Sequence, residues 1–403
     1  MKDILKIAYR NISRNKRRSA LTISIIVLGI SIYSFTLGYL DGFINQTYER
    51  SISMTGEIRI IHPDFEIKEK TFDLTANIPL EEIREKIQIE GIRQINGRIK
   101  FGAMLFFEEK DRQTLGYGME KSDLDNFDLE KSIIKGEVSE WEISEKILIG
   151  EKLASKLNVE VGESVTLMTS TQWGSVSAFN YEVGAIFNHR IGMFNEMFVI
   201  PLSSAQYLLD MEESVSEIVI FAHNQDDIHL IKTEIDKKVD VYTVQAWDEI
   251  GMNKIMLDWM PVSKMIMIII FGGLSCVGII NTMMMVVFER KREIGLLESQ
   301  GMGRFQVLLL LLTEGIIMGI IGTIIGVTIG TGVTYYFEIY GLNFGEQSKD
   351  MFELYNMESI IYTPVSLKNT VEASIIGVLF AFLGTLFPIV SIIGKKPSEL
   401  MKA

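Results

Sequence analysis

Four stretches of this chain carry no charged side chain over a length that crosses a bilayer: Ala20–Leu40, Met265–Phe288, Gly315–Phe337 and Ala373–Gly394. Each has at least 21 residues, and about 20 apolar residues in a helix cover roughly 30 Å of hydrocarbon. The sequence therefore predicts four transmembrane α-helices. The basic flank "RNKRRSALT" would also suit a removable signal peptide. The run behind it is too long for an h-region, however, and "GYLDGFINQT" offers no small-residue cleavage pattern, so a retained first helix is expected. The single cysteine, Cys276, lies within the second run and has no intrachain partner.

Charge sets the orientation. Residues 1–19 hold Lys2, Lys6, Arg10, Arg14, Lys16, Arg17 and Arg18 against Asp3 alone. Arg290, Lys291, Arg292 and Arg304 lie between the second and third runs, and Lys395, Lys396 and Lys402 follow the fourth. With four spans these basic segments share one side, which the positive-inside rule makes cytoplasmic. Residues 20–263 sum to net −18, so nearly all the acidity falls outside. The expected order is a cytoplasmic amphipathic helix at 1–19, spans at 20–42, 263–288, 305–337 and 373–394, and an extracytoplasmic domain at 43–262. A cytoplasmic helix at 289–304, an outer loop at 338–372 and a cytoplasmic tail at 395–403 complete it.

The outer segment reads as α+β. "GEIRIIHP" alternates as a strand does, and "IPLEEIREKIQ" starts a helix with acids after a proline. "SEKILIGEKLASKLNVEVGESVTLMTS" reads as strand, helix, a turn at Val161–Gly162, and strand. "FNYEVGAIFN" and "EMFVIPL" are further strands, "LSSAQYLLDM" is helical, and "SEIVIFAH" with "DDIHLIKTEIDKKV" forms one more strand–helix unit. At the N-terminus Leu5, Ala8 and Ile12 share one face of a basic helix, which suits a segment lying at the membrane interface.

Chemistry of the usual kinds is missing from the sequence. There is no G-x-x-x-x-G-K-[ST] loop and no G-x-S-x-G elbow. His62, His189, His223 and His229 have no metal-ligand spacing. Gly116–Gly118, "GYG", lacks the rest of a dinucleotide fingerprint and is expected at a strand-end turn. The acidity argues against nucleic acid. No catalytic, cofactor-binding or metal-binding residue is assigned.

Residues 289–301, "ERKREIGLLESQG", resemble the E-R-[RK]-x-E-I-G-[LI]-L-x-x-x-G signature of FtsX-like, MacB-type ABC permeases. "LKIAYRNISRNKRRSALTISIIVLGI" resembles that superfamily's N-terminal elbow and first span. "ILIGEKLASKLNVEVGESVTLM" is similar to a segment of its outer domain, and "TLFPIVSIIGKKPSELMKA" to its closing helix and tail. Almost the whole chain is covered, with four motifs in order. Lipoprotein-releasing permeases fit best, because they have about this length, an unfused ATPase and a long outer domain between the first two spans. Two features depart from the signature: no basic residue stands near Glu298, and Ser299–Gln300 replace a small–apolar pair.

The resemblance implies a MacB/Lol-type permease fold and a membrane subunit that is not itself an enzyme, with ATP and Mg on a partner. It also implies two ATPase copies, a second permease (identical or similar), a lipoprotein cargo and a periplasmic carrier, in the bacterial cytoplasmic membrane. The segment at 289–301 then becomes a coupling helix. Ile294, Leu296 and Leu297 would fill an apolar ATPase groove, flanked by Gly295; Glu289, Arg290, Arg292, Glu293 and Glu298 would pair at its rim, and Gly301 would end the helix. By the resemblance, the loop Thr169–Asn180, with Gln172, Trp173 and Gly174, is the arm that engages the carrier or the pad that supports it; the alternative is an ordinary hairpin loop. Tyr39, Phe43, Tyr48, Trp259, Met260, Met265 and Met267 are either a cavity for acyl chains or an interfacial belt. Gly315, Gly319, Gly322, Gly326 and Gly330 line one face of the third span and predict close packing, within the chain or with a second permease. Glu314 is expected near headgroup depth. Two other functions stay open: efflux or peptide export of the MacB kind, and FtsX-like signalling to a cell-wall hydrolase without transport.

Overall fold

The computed structural model describes residues 2–14, 16–138, 141, 145–289, 296, 302–345 and 360–393. Four helices among them are long and apolar enough to span a membrane: Lys16–Thr55, Gly251–Glu289, Phe305–Tyr340 and Leu367–Val390. A separate helix, Lys2–Arg14, precedes them. The chain divides into two compact units, one of residues 1–44, 258–343 and 360–403, the other of 45–257 and 344–359. The first two long helices each contribute residues to both units.

In the membrane unit, glycine decides where helices touch. Of the third-span stripe, a Cβ at Gly315 would lie 2.2 Å from Thr385 Oγ1, and one at Gly319 would lie 2.2 Å from Ala381 of the fourth span. On the same stripe Gly322 faces Ile26, Gly326 faces Ile30, and Gly330 faces Ser31 and Ser34 of the first span. Gly29 and Gly278 admit the first and second spans to each other, against Ser275 and Ile25 respectively. The stripe is therefore filled by this chain's own helices. Ile26, Ile30, Tyr33, Leu37, Ile279, Met283, Met318, Val327, Ala373 and Ala381 form the buried centre, and Ile12 of the N-terminal helix packs against it. Glu314 is buried, at 3% exposure.

The outer unit is built on a ten-stranded mixed sheet. Its middle closes on itself. Ile92–Phe107 pairs antiparallel with Lys110–Met119, which pairs parallel with Phe198–Pro201. Phe198–Pro201 pairs with Lys146–Gly150, then Val176–Phe187, then Ser164–Ser170, which returns to Ala103–Phe106 of the first strand. Side chains alternate across this ring as strand geometry requires. Ile99, Phe101, Leu105, Ile147, Ile149, Val165, Leu167, Val183 and Phe198 fill one core. Tyr117, Leu148, Ala185, Phe187 and Val199 point to a second core with Phe127 and Trp141. Gly116 and Gly118 sit within the strand Lys110–Met119, not in a turn at its end. A Cβ at Gly116 would meet the Phe198 ring and one at Gly118 would meet Ala205, so close packing, not turning, demands them. The other half of the long strand pairs with Glu217–Ala222, and Ile58–Ile61 and Thr243–Ala246 extend that edge.

Candidate functional site

Hydropathy in the first run stops at Leu40, yet the helix continues to Thr55. Its last turns belong to the outer unit, which holds them with buried polar groups. Arg98, from the long strand, is fully buried. Its Nε and Nη2 donate to the two carboxylate oxygens of Asp123, the latter at 2.9 Å. Its Nη1 donates to the Ser53 carbonyl at 3.1 Å and the Met54 carbonyl at 2.7 Å. Those carbonyls belong to the last turn of the helix and have no partner further along it, so a cation there also complements the helix dipole. Burial opposes the charge on Arg98, but the Asp123 carboxylate outweighs it and holds the guanidinium's pKa above its ordinary value. The Phe127 ring lies 5.3 Å beneath the guanidinium.

The beginning of the second long helix is tied to the same place. Asn253 Nδ2 donates to Ser51 Oγ at 2.9 Å and to the Trp247 carbonyl at 3.0 Å, and its Oδ1 accepts from Arg50 Nη2 at 3.0 Å. Glu57, just past the first helix, accepts from the Tyr48 hydroxyl and from the Ala222 amide. Arg190 Nη1 donates to Glu49 at 3.0 Å. The outgoing helix and the incoming helix are thus locked to one another and to the sheet by Arg98, Asp123, Arg50, Ser51, Asn253 and Glu57. None of these six was singled out from the sequence. The only sequence-level signal is polar residues, "YERSISMT", continuing a helix with no proline to stop it.

The residues that were singled out fall in three places. Tyr48 does not belong to an apolar membrane zone: it lies in the outer unit, bonded to Glu57 with its ring 4.9 Å from Trp247. Tyr39, Phe43, Trp259, Met260, Met265 and Met267 are in the membrane unit. Trp259 and Met265 are exposed there, and Met267 packs on the core. The loop of Trp173 is shorter than expected, because the strand after it begins at Val176. The tip is anchored beside Trp173: Gln172 N donates to the Leu209 carbonyl at 3.0 Å, and Gln172 Oε1 accepts from Asn77 at 3.0 Å. Gly174 turns the chain at φ +79, and Trp173 projects at 74% exposure.

Of the coupling segment, Arg290, Arg292, Glu293, Ile294, Gly295, Leu297, Glu298 and Gly301 lie outside the described residues. Leu296 is half exposed. Glu289 forms an ion pair with Arg18 at the base of the first span. After the segment, Met302 and Val307 pack with Val287 and Ile389.

Residues 19–238 match the MacB-like periplasmic core domain family, and residues 250–397 match the FtsX-like permease C-terminal family. The chain belongs to this MacB-like, FtsX-like permease family. It is similar to the lipoprotein-releasing system transmembrane protein LolC of Buchnera aphidicola, with 22% identity over 96% of this chain and 94% of that one. The uncharacterized ABC transporter permease MJ0797 of Methanocaldococcus jannaschii is 23% identical over 79% of this chain and 82% of its own length. The macrolide export ATP-binding/permease protein MacB of Wolinella succinogenes is 23% identical over 84% of this chain, which spans 54% of that protein. The protein is an ABC transporter permease of the cytoplasmic membrane, with four apolar helices and a periplasmic core domain. As such it works with an ATPase subunit.

Proposed function

We propose that the permease converts ATPase motion into extraction of lipoproteins from the cytoplasmic membrane and hands them to a soluble carrier. The observation that carries the mechanical part is the helix Lys16–Thr55, whose last turn is gripped by the buried Arg98–Asp123 pair. An axial force on that helix reaches the sheet through charged hydrogen bonds, not through a flexible linker. The cargo reading is supported by similarity to LolC along nearly the full length of both chains. Pulling acyl chains from a bilayer costs about 0.8 kcal/mol per CH₂, a load suited to ATP.

In this reading two ATPases hold two permeases, and the segment from Glu289 to Gly301 is the handle. Ile294, Leu296 and Leu297 enter the ATPase groove, and Arg290, Arg292, Glu293 and Glu298 pair around it. Trp173 at the hydrogen-bonded hairpin tip contacts the carrier. The test is depletion of the permease followed by membrane fractionation. Lipoproteins should accumulate in the cytoplasmic membrane. Normal lipoprotein distribution with drug hypersensitivity would favour export, and normal distribution with septation defects would favour signalling.

A further inference from the structure

The first two long helices differ in a way that transmission of force makes consequential. Lys16–Thr55 is α-helical throughout and contains no proline. The second helix is interrupted. It is α-helical at Gly251–Met267 and again at Gly273–Glu289, and between them Ile268–Gly272 forms a π-turn. At its end the Gly273 amide is shared between the carbonyls of Ile269 and Ile270. Pro261, seven residues outward, removes one further backbone bond from the same helix.

A π-turn accommodates one extra residue, and kinks and bulges of this kind mark places where a helix changes its path. The surroundings accept it only because side chains are missing. Gly272 has no Cβ where one would lie 2.4 Å from the Phe380 ring of the fourth span. Gly29 of the first span crosses where a Cβ would lie 3.0 Å from the Phe271 carbonyl and 2.1 Å from Ser275 Oγ. The Ser275 hydroxyl donates to that same Phe271 carbonyl at 3.0 Å, caring for an acceptor at the edge of the turn. Immediately inward, Gly278 lies against Ile25 and Gly384 against Ile279, so the inner half of the second helix is seated against both neighbours.

We infer that the π-turn is a register joint: the inner half, Gly273–Glu289, stays seated while the stretch from Pro261 to Met267, beyond the anchored Asn253, turns about its axis as the extra residue is taken up or released. One helical residue corresponds to about 100° of rotation and 1.5 Å of rise. The first helix acts as a rod and the second as a rod with a swivel. This inference rests on the mechanical part of the proposed function and is independent of the cargo.

The test uses the full permease assembled with its ATPase, with Cys276→Ser and spin labels on Ile266→Cys and Leu274→Cys. Both positions are exposed on the membrane unit, at 46% and 48%, and they lie about 12 Å apart along the axis. The label distance should shift by several ångströms between the nucleotide-free and ATP-trapped states. Deleting Ile270 removes the extra residue and should leave one distribution in both states. It should also keep ATP hydrolysis within about twofold while lowering release at least tenfold. Ile270→Ala, which keeps the residue count, should behave as wild type. A wild-type distance that ignores nucleotide overturns the inference whatever the deletion does, as does full release by the deletion variant. A nucleotide-dependent distance without lipoprotein release would leave the joint standing and remove the cargo.

Discussion

Replacing Arg98 and Asp123 singly and together separates holding the fold from carrying the load. Both side chains are fully buried. Arg98→Met leaves the Asp123 carboxylate buried without its cation, and it strips the Ser53 and Met54 carbonyls of their donor. Breaking a buried ion pair from one side costs about 3–5 kcal/mol, and for a domain of this size each kcal/mol lowers Tm by about 2–4 °C, so the single replacement should lower it by about 6–20 °C. Asp123→Leu should cost a similar amount. The double replacement Arg98→Met with Asp123→Leu removes both charges, and apolar side chains of similar size make such exchanges near neutral. It should therefore regain much of the single variants' loss, short of the wild-type temperature by the cost of leaving the Ser53 and Met54 carbonyls and Asn96 Nδ2 without their partners. Yet the last turn of the helix is no longer gripped, so hydrolysis should continue while release falls. Tm is read by tryptophan fluorescence of the full protein in detergent, and coupling as cargo released per ATP. Single variants within about 1 kcal/mol of wild type would refute the energetic reasoning. A stable double variant with normal coupling would refute the mechanical one.

Trp173→Ala should weaken photocrosslinking to the carrier by about 30-fold, since an exposed aromatic anchor is worth about 2 kcal/mol at such contacts; Tm should not move. Ile294→Asp with Leu297→Asp places two carboxylates in the expected ATPase groove, at a cost of several kcal/mol each if unpaired, and co-purification of the ATPase should be lost while membrane levels stay normal. His189 supplies a pH dependence. Burial, with Arg190 beside it, lowers its pKa to about 4 from an ordinary 6.5, so the unfolded chain binds its proton first. The outer domain should lose stability as pH falls from about 6.5 to 4, and His189→Gln should flatten that part of the Tm–pH curve.

The spans, the orientation and the α+β character of the outer domain are legible because they depend on local pattern: uncharged runs, basic flanks and period-two alternation. "ILIGEKLASKLNVEVGESVTLM" folds as strand, helix, turn and strand as read. Closure of the sheet into a ring is not legible, because it depends on pairing between strands as distant as Ala103 and Thr169. Nor is the joint. Arg98 looks like one more polar residue in an alternating strand, and nothing local shows that its partners are Asp123 and two backbone carbonyls of a helix. The extent of that helix was missed for the same reason: Tyr48–Thr55 is too polar for hydropathy to include, and tertiary hydrogen bonds at Tyr48, Ser51 and Glu57 hold it. Tyr48 accordingly lies in the outer unit, bonded to Glu57. The π-turn at Ile268–Gly272 is hidden inside a uniformly apolar run.

The central claim is most directly tested by reconstitution. Permease and ATPase are placed in proteoliposomes with a triacylated lipoprotein, and the soluble carrier is added outside. ATP should move the lipoprotein into the carrier-bound soluble fraction, and a hydrolysis-deficient ATPase should move none. Hydrolysis by the wild-type assembly with the lipoprotein remaining in the vesicles would contradict it.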